Sequence, residues 1–172
     1  MEIVDTDALY HRLLAEDGKL KAALTAAFGS DILDGTGRVD RKALAGAVYP
    51  DKLNQLNAIT HPFVVNEVDQ LIAQARREGK AAVAIDAIAL IESGLGERCD
   101  AVVAVLAPLE ERIARIMARD GIDEAYARRR ALAQKGEDFF RANADYVLEN
   151  GPDDTPEEFE TKALALFEQI LA

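Results

Sequence analysis

The stretch AAVAI at residues 81–85, followed by Asp86, is a short apolar run with no polar residue between its members. A second run of the same kind, AVVAVL at residues 101–106, ends shortly before Pro108. Strands that are buried on both faces have this composition, and they are typical of parallel sheets covered by helices. Helical periodicity lies between and around the two runs. The sequence therefore predicts an α/β domain with a mainly parallel sheet.

The residues before the first run predict a mostly helical lobe over about residues 8–79. Apolar residues from Leu9 to Phe28 recur at near-helical spacing, which predicts helix over this stretch. A second series from Leu53 to Ile72 predicts two helices that are broken near His61-Pro62, because the residue before a proline disfavours helix. Towards the other end of the chain, Thr155, Pro156 and Glu158 predict a capped final helix.

The overall composition limits the class of protein. A length of 172 residues predicts one domain, residues 1–172. The net charge of −11 disfavours nucleic acid and anionic membranes as partners, since both are polyanions. One cysteine, Cys99, excludes an intrachain disulfide framework, and no apolar run is long enough for a membrane span. With no basic, apolar signal pattern at Met1, we expect a cytoplasmic protein.

Two carboxylates flank Thr6 at the carboxyl end of a predicted strand, in Asp5-Thr6-Asp7. In open α/β sheets, ligands bind outside these strand ends. The carboxylates could accept a proton from a substrate hydroxyl or hold Mg²⁺ through water. The alternative is that Asp7 is the N-cap of the next helix, and spacing alone favours this cap.

Basic residues are concentrated in residues 112–141 of an acidic chain. This segment has eight basic and five acidic residues, a net charge of +3, whereas the chain as a whole carries −11. Arginine forks suit phosphate oxygens, so the segment is a candidate anion site. A solvated helix face paired with nearby acids explains the pattern equally well.

Three further residues have a simpler structural reading. His61 precedes Pro62, and a lone histidine in that place is more often structural than catalytic. Asp86 follows a predicted strand, where it could face a ligand or cap a turn. Asn150 precedes Gly151, a pair that could let a base approach the backbone but more often forms a plain turn.

Taken in order along the chain, six segments resemble the motifs of the dephospho-coenzyme A kinase family, which belongs to the P-loop kinases. The resemblance runs from Ile3 to about Leu171, and no single motif carries it. The segments are VDTD at 4–7, LNQLNAITHPFV at 53–64, DAIALIESG at 86–94 with Cys99-Asp100, RIMARDG at 115–121, RALAQ at 130–134 and ADYVLEN at 144–150.

The resemblance implies a three-layer α/β/α fold and transfer of the ATP γ-phosphoryl group to the ribose 3′-hydroxyl of dephospho-coenzyme A, the last step of coenzyme A synthesis. It implies that Asp7 is the general base and that Asp5 lies near Mg²⁺ and the phosphates. The 8–79 lobe, with His61 and Asp86, would receive the acceptor, and residues 112–141 would form a lid region. Phosphate contacts are implied for Arg115, Arg119 and Arg130, with Lys135 or Arg141 completing the clamp, and an adenine contact for Asn150.

One family feature has no counterpart in these 172 residues. The family begins with a strand and the phosphate-binding loop G-x-x-x-x-G-K-[ST], and this pattern occurs nowhere in the sequence. We therefore expect the first strand and the loop to be absent, this chain alone to be inactive, and exposed strand edges to favour a homo-oligomer. Two alternatives stay open. One is a non-catalytic coenzyme A- or nucleotide-binding protein, and the other is a different nucleoside-phosphate kinase.

Overall fold

Two pairs of parallel strands are present in the computed structural model, which describes residues 1–49 and 51–172. Strand β1 (Glu2–Asp5) pairs with β2 (Val83–Asp86), and β3 (Val103–Leu106) pairs with β4 (Tyr146–Glu149). Each pair lies in its own compact unit, Met1–Leu95 or Gly96–Ala172. The predicted parallel pairing is confirmed. A single three-layer sandwich stays a prediction.

Helices fill most of residues 8–79, as their periodicity predicted. In this unit the fully buried side chains Leu20 and Leu24 of one helix lie in the same core as Val68 of another. Apolar residues of β1 and β2 join this core, so the helices and the sheet are stabilised by the same burial. The helices are α1 (Thr6–Glu16), α2 (Gly18–Phe28), α3 (Arg41–Val48) and α4 (Leu53–Arg77).

The predicted helical stretch from Leu9 to Phe28 is confirmed, and Asp17 divides it into α1 and α2. The Asp17 carboxylate accepts hydrogen bonds from the backbone N–H groups of Lys19 and Leu20, at 2.8 and 2.9 Å. It is the N-cap of α2. A cap of one residue leaves the apolar spacing almost unchanged, so periodicity did not reveal it.

The predicted break near His61-Pro62 is wrong, since α4 is one helix of 25 residues with Pro62 inside it. Proline in a helix interior removes one backbone hydrogen bond and crowds the preceding turn, at a cost of about 3 kcal/mol. Apolar residues on both sides of Pro62, including Leu56 and Val68, pack into the core and hold the helix together. None of the helices in the part of the chain described here is long and apolar enough to cross a membrane.

In the second unit, helices precede and follow β4 along the chain. Helix α5 (Leu109–Asp120) precedes α6 (Glu124–Leu132) and ends where Gly121 adopts φ 64°, a left-handed conformation that glycine adopts without steric cost. Ile113 of α5 packs against the buried Ala127 and Ala131 of α6. The predicted capping box of Thr155 and Glu158 is confirmed. The helices are α5 (Leu109–Asp120), α6 (Glu124–Leu132), α7 (Glu137–Asn143) and α8 (Pro156–Leu171).

Replacement of Pro62 by alanine is expected to stabilise the first unit. Pro62 is exposed, so the change leaves the core intact while it restores a backbone donor inside α4. We expect the free energy of unfolding to rise by about 1–3 kcal/mol in chemical denaturation. Asn66→Ala, at another exposed position of α4, gains helix propensity alone and is the control. Equal stabilisation by the two variants would contradict the argument.

Candidate functional site

The carboxyl ends of β1 and β2 lie side by side, with Asp5 opposite Asp86 in the parallel register. Helix α1 begins at Thr6, directly after β1. The Asp5 carboxylate accepts a hydrogen bond of 2.9 Å from the backbone N–H of Ala8 and is therefore the N-cap of α1. The interpretation of Asp7 as the cap is wrong, because the helix begins two residues earlier than its spacing suggested.

Thr6 connects the two strand ends, a role that the sequence did not indicate. Its hydroxyl donates a hydrogen bond of 2.9 Å to the backbone carbonyl of Asp86. Asp7 is the next residue of α1, its side chain is exposed, and it makes no hydrogen bond or ion pair within the described residues. The backbone thus fixes the position of Asp7 while its carboxylate stays available.

A cavity of about 230 Å³ lies in the first unit, between α1, α4 and the segment after β2. Asp7 and Thr6 line it from α1, and His61 lines it from α4. The structure therefore brings two predicted site residues, Asp7 and His61, to one cavity. The segment 87–89 after β2 forms another wall, whereas Asp86 itself contributes its carbonyl to Thr6.

Three polar residues of this cavity were not predicted from the sequence. Tyr10 of α1 lines it, and burial raises the pKa of its phenol, an effect that the positive charge of Arg41 partly opposes. Asn57 and Thr60 of α4 line it as well. Asn57 lies one helical turn before Thr60 and His61, and the three residues interrupt an otherwise apolar stripe. Polar residues interrupting such a stripe are the signal that could have identified this wall.

In the second unit, the structure joins Arg115 to Asn150. The Arg115 guanidinium donates to the Asn150 side-chain oxygen at 3.0 Å and to the backbone carbonyl of Gly151 at 3.3 Å. The Asp154 carboxylate accepts from the Gly151 N–H at 2.8 Å and from Lys162 at 2.6 Å. These contacts hold the turn after β4 against the middle of α5.

Arg119 and Arg130 meet on one carboxylate, that of Asp120. Arg119 donates to its two oxygens at 2.7 and 3.0 Å, and Arg130 donates to one of them at 2.5 Å. The hydrogen bonds from Arg119, supported by those from Arg130, lower the pKa of Asp120 to about 2. Arg119 and Arg130, which are both predicted phosphate ligands, therefore share one carboxylate. Asp120 was not among the site residues predicted from the sequence.

The two candidates for completing the clamp have other contacts. Lys135 lies over the ring of Phe139, with its ammonium nitrogen 5.5 Å from the ring centre. Arg141 donates to Glu149 and Glu137, and these hydrogen bonds, the one to Glu149 first, raise its pKa. None of these contacts involves Arg119 or Arg130.

Replacement of the two N-terminal aspartates tests which of them is the cap. Asp5→Ala is expected to lower the free energy of unfolding by about 1 kcal/mol, as loss of an N-cap does. Asp5→Asn, which keeps an acceptor oxygen, should lose much less. Asp7→Ala should cost about 0.5 kcal/mol or less, since an exposed side chain without a partner is removed. A larger loss for Asp7→Ala than for Asp5→Ala in denaturant titrations would reverse the assignment.

Comparisons with known proteins identify the family of this chain. The family model described as dephospho-CoA kinase (CoaE) matches residues 1–154. The dephospho-CoA kinase of Geobacter metallireducens is 36% identical over 169 residues, which are 97% of this chain and 83% of that protein. That of Thermobifida fusca is 33% identical over 170 residues, which are 98% of this chain and 83% of that protein.

Solved structures show the same fold. The crystal structure of TT1252 from Thermus thermophilus matches 99% of this chain and 85% of that chain, with 32% identity and a TM-score of 0.79. The structure of the dephospho-CoA kinase from Campylobacter jejuni matches 99% of this chain and 85% of that chain, with 23% identity and a TM-score of 0.69, which supports the fold alone. By the family match and the identity to these kinases, the chain belongs to the dephospho-CoA kinase family.

Proposed function

We propose that this chain carries the acceptor and lid parts of an enzyme that phosphorylates the ribose 3′-hydroxyl of dephospho-coenzyme A with ATP, the last step of coenzyme A synthesis. The observation that supports this most directly is the exposed carboxylate of Asp7, at the wall of the cavity and at a strand edge where α/β proteins bind ligands. The activity named for the related proteins supports it independently.

In the proposed reaction, Asp7 is the general base. The 3′-hydroxyl oxygen forms a bond to the γ-phosphorus of ATP, the bond between that phosphorus and the bridging oxygen breaks, and ADP leaves. The hydroxyl proton passes to the Asp7 carboxylate. Asp5 has one oxygen committed to the Ala8 N–H, so Asp7 is the carboxylate that is free for this step.

The cavity between α1 and α4 is the proposed acceptor site. Apart from Asp7 and His61, its side chains are polar groups without formal charge or apolar groups. Such a lining suits the nucleoside part of the acceptor, with hydrogen-bonding groups at a few places on an apolar wall. Asp86 supports the site from the acceptor side, since its carbonyl anchors Thr6 next to Asp7.

The second unit supplies the proposed nucleotide contacts. Asn150 and the neighbouring turn form the adenine side, with Arg115 holding the turn in place. Arg119 and Arg130 are the proposed phosphate ligands of the lid region. Lys135 and Arg141 are weaker candidates, since Arg141 is already paired with two carboxylates and Lys135 lies on an aromatic ring.

Magnesium is expected together with ATP, and the first unit fits an ion bound through water. Mg²⁺ keeps several waters and binds through one or two carboxylates and substrate phosphates. Asp5 has one carboxylate oxygen that is not used in capping. Asp5 would hold the ion through water, and no group of three metal-binding side chains occurs in residues 1–49 and 51–172. When bound, the ion would neutralise charge on the phosphates.

The partners of this proposed activity are small molecules. A net charge of −11 disfavours nucleic acid, while the local excess of +3 in residues 112–141 suits the anionic substrates. One cysteine and no disulfide framework are compatible with a reducing cytoplasm, which is the proposed location. Each strand pairs with a single partner within the described residues, so open strand edges are available for a homo-oligomer.

Asp7→Asn is expected to lower turnover by about 10²- to 10⁴-fold, the usual contribution of a positioned general base. Steady-state assays with Mg-ATP and dephospho-coenzyme A, using a form that includes a phosphate-binding loop, measure the effect. Calorimetry with the acceptor should give an almost unchanged dissociation constant, because the amide preserves the shape of the cavity wall. Unchanged turnover would remove Asp7 from the mechanism.

The phosphate-binding loop gives a second prediction. The 172 residues contain no G-x-x-x-x-G-K-[ST], and losing even one preorganised donor costs about 10²- to 10³-fold in rate. We expect the 172-residue chain to be almost inactive and a form extended upstream by a strand and this loop to be active. The same extension with the loop lysine replaced by alanine is the control. Comparable turnover with and without the extension would contradict the prediction, and an inactive extension would favour a non-catalytic binding protein.

A further inference from the structure

Asp120 occupies an unfavourable place for an acid. It is the last residue of α5, where the helix dipole favours positive charge. Its carboxylate nevertheless accepts hydrogen bonds from two guanidinium groups, those of Arg119 and Arg130. About 24% of the Asp120 side chain is exposed, against 68% for Arg119 and 46% for Arg130. The acid is thus partly covered, and the arginines remain open to solvent.

This arrangement holds two like charges together. Guanidinium groups that share no anion repel each other, and Asp120 offsets that repulsion by lying between them. Each guanidinium has five N–H donors, and Asp120 engages two of Arg119 and one of Arg130. The remaining donors are available, and the three side chains together carry a charge of +1.

We propose that Asp120 is a positioning residue that holds Arg119 and Arg130 as one preformed site for the phosphate oxygens of a nucleotide polyphosphate. This inference rests on the proposed function, in which the two arginines are phosphate ligands. Donors that are already in place need no reorganisation when charge arrives, which is why preorganisation favours binding and transfer. A pKa of about 2 keeps Asp120 ionised at neutral pH, so the arrangement persists there.

A positioning role and simple Coulomb attraction predict opposite effects of Asp120→Asn on the binding of a polyanion. Asp120→Asn removes a negative charge from a basic segment, so Coulomb attraction alone would make a polyanion bind more tightly. If Asp120 positions the two arginines, the same change separates them and binding weakens in spite of the added net positive charge. Whether Asp120→Asn binds a polyanion more weakly or more tightly therefore decides between the positioning role and Coulomb attraction alone.

Calorimetric titration of the 172-residue chain with tripolyphosphate and with ATP, at low ionic strength, is the test. We expect Asp120→Asn to weaken binding about tenfold, as coupled neighbours in one network do. Asp120→Glu should recover part of the loss. Asp138→Asn is the matched control, since it removes the same charge from an exposed position of the lid region. Binding by Asp120→Asn that equals or exceeds binding by Asp138→Asn would overturn the inference.

The outcomes separate this inference from the proposed function. If the unsubstituted chain binds neither probe, the proposed nucleotide site fails and the inference fails with it. If it binds and Asp120→Asn binds more tightly, the inference alone fails. Should Asp120→Asn not fold, as judged by its thermal unfolding midpoint, Arg119→Gln, Arg130→Gln and the double variant replace it. A double loss smaller than the sum of the single losses supports one shared site, and additive losses overturn it.

Discussion

The parallel register of β1 and β2, with Asp5 opposite Asp86, determines where the functional groups of the first unit lie. Parallel strands end at the same edge of a sheet, so the residues that follow them are neighbours without further adjustment. Helix α1 begins directly after β1, and the Thr6 hydroxyl is bonded to the Asp86 carbonyl. Asp7 therefore owes its position to a strand, a helix and one hydrogen bond from α1 to the end of β2. A flexible loop would place it far less accurately.

The elements of this unit could be predicted where their signal was local and repeated. The apolar run at 81–85 gave β2, observed at Val83–Asp86, and leucine spacing indicated the helices. The interruptions could not be predicted in the same way. Asp17 ends one helix and caps the next without disturbing the spacing of the leucines. At Pro62 the local rule predicted a break, but core contacts on both sides of the proline outweigh the lost backbone hydrogen bond.

The arginines show a different limit of sequence reasoning. Composition identified the basic segment but left two readings, an anion site or a face paired with acids. In the structure, different arginines of this segment fit different interpretations. Arg128 is bound by Glu110 and Glu124, and these hydrogen bonds raise its pKa. Arg115 instead reaches a neutral amide and a carbonyl. Arg128 and Glu110 are 18 positions apart in the sequence and meet only in the folded chain. The sequence alone therefore could not show that Arg128 is paired with an acid.

The two aspartates beside Thr6 illustrate why a pair of carboxylates is useful at one strand end. Asp5 closes the first turn of α1 by accepting the Ala8 N–H, while the carboxylate of Asp7 is exposed and makes no hydrogen bond within the described residues. With Asp5 in that role, the helix starts at a defined residue, and the side chain of Asp7 emerges from its first turn at the wall of the cavity. In the proposed mechanism the cap is thus part of the site although it need not touch the acceptor. Its proposed contribution is to fix where α1 begins, and with it the place from which the Asp7 carboxylate would accept a proton.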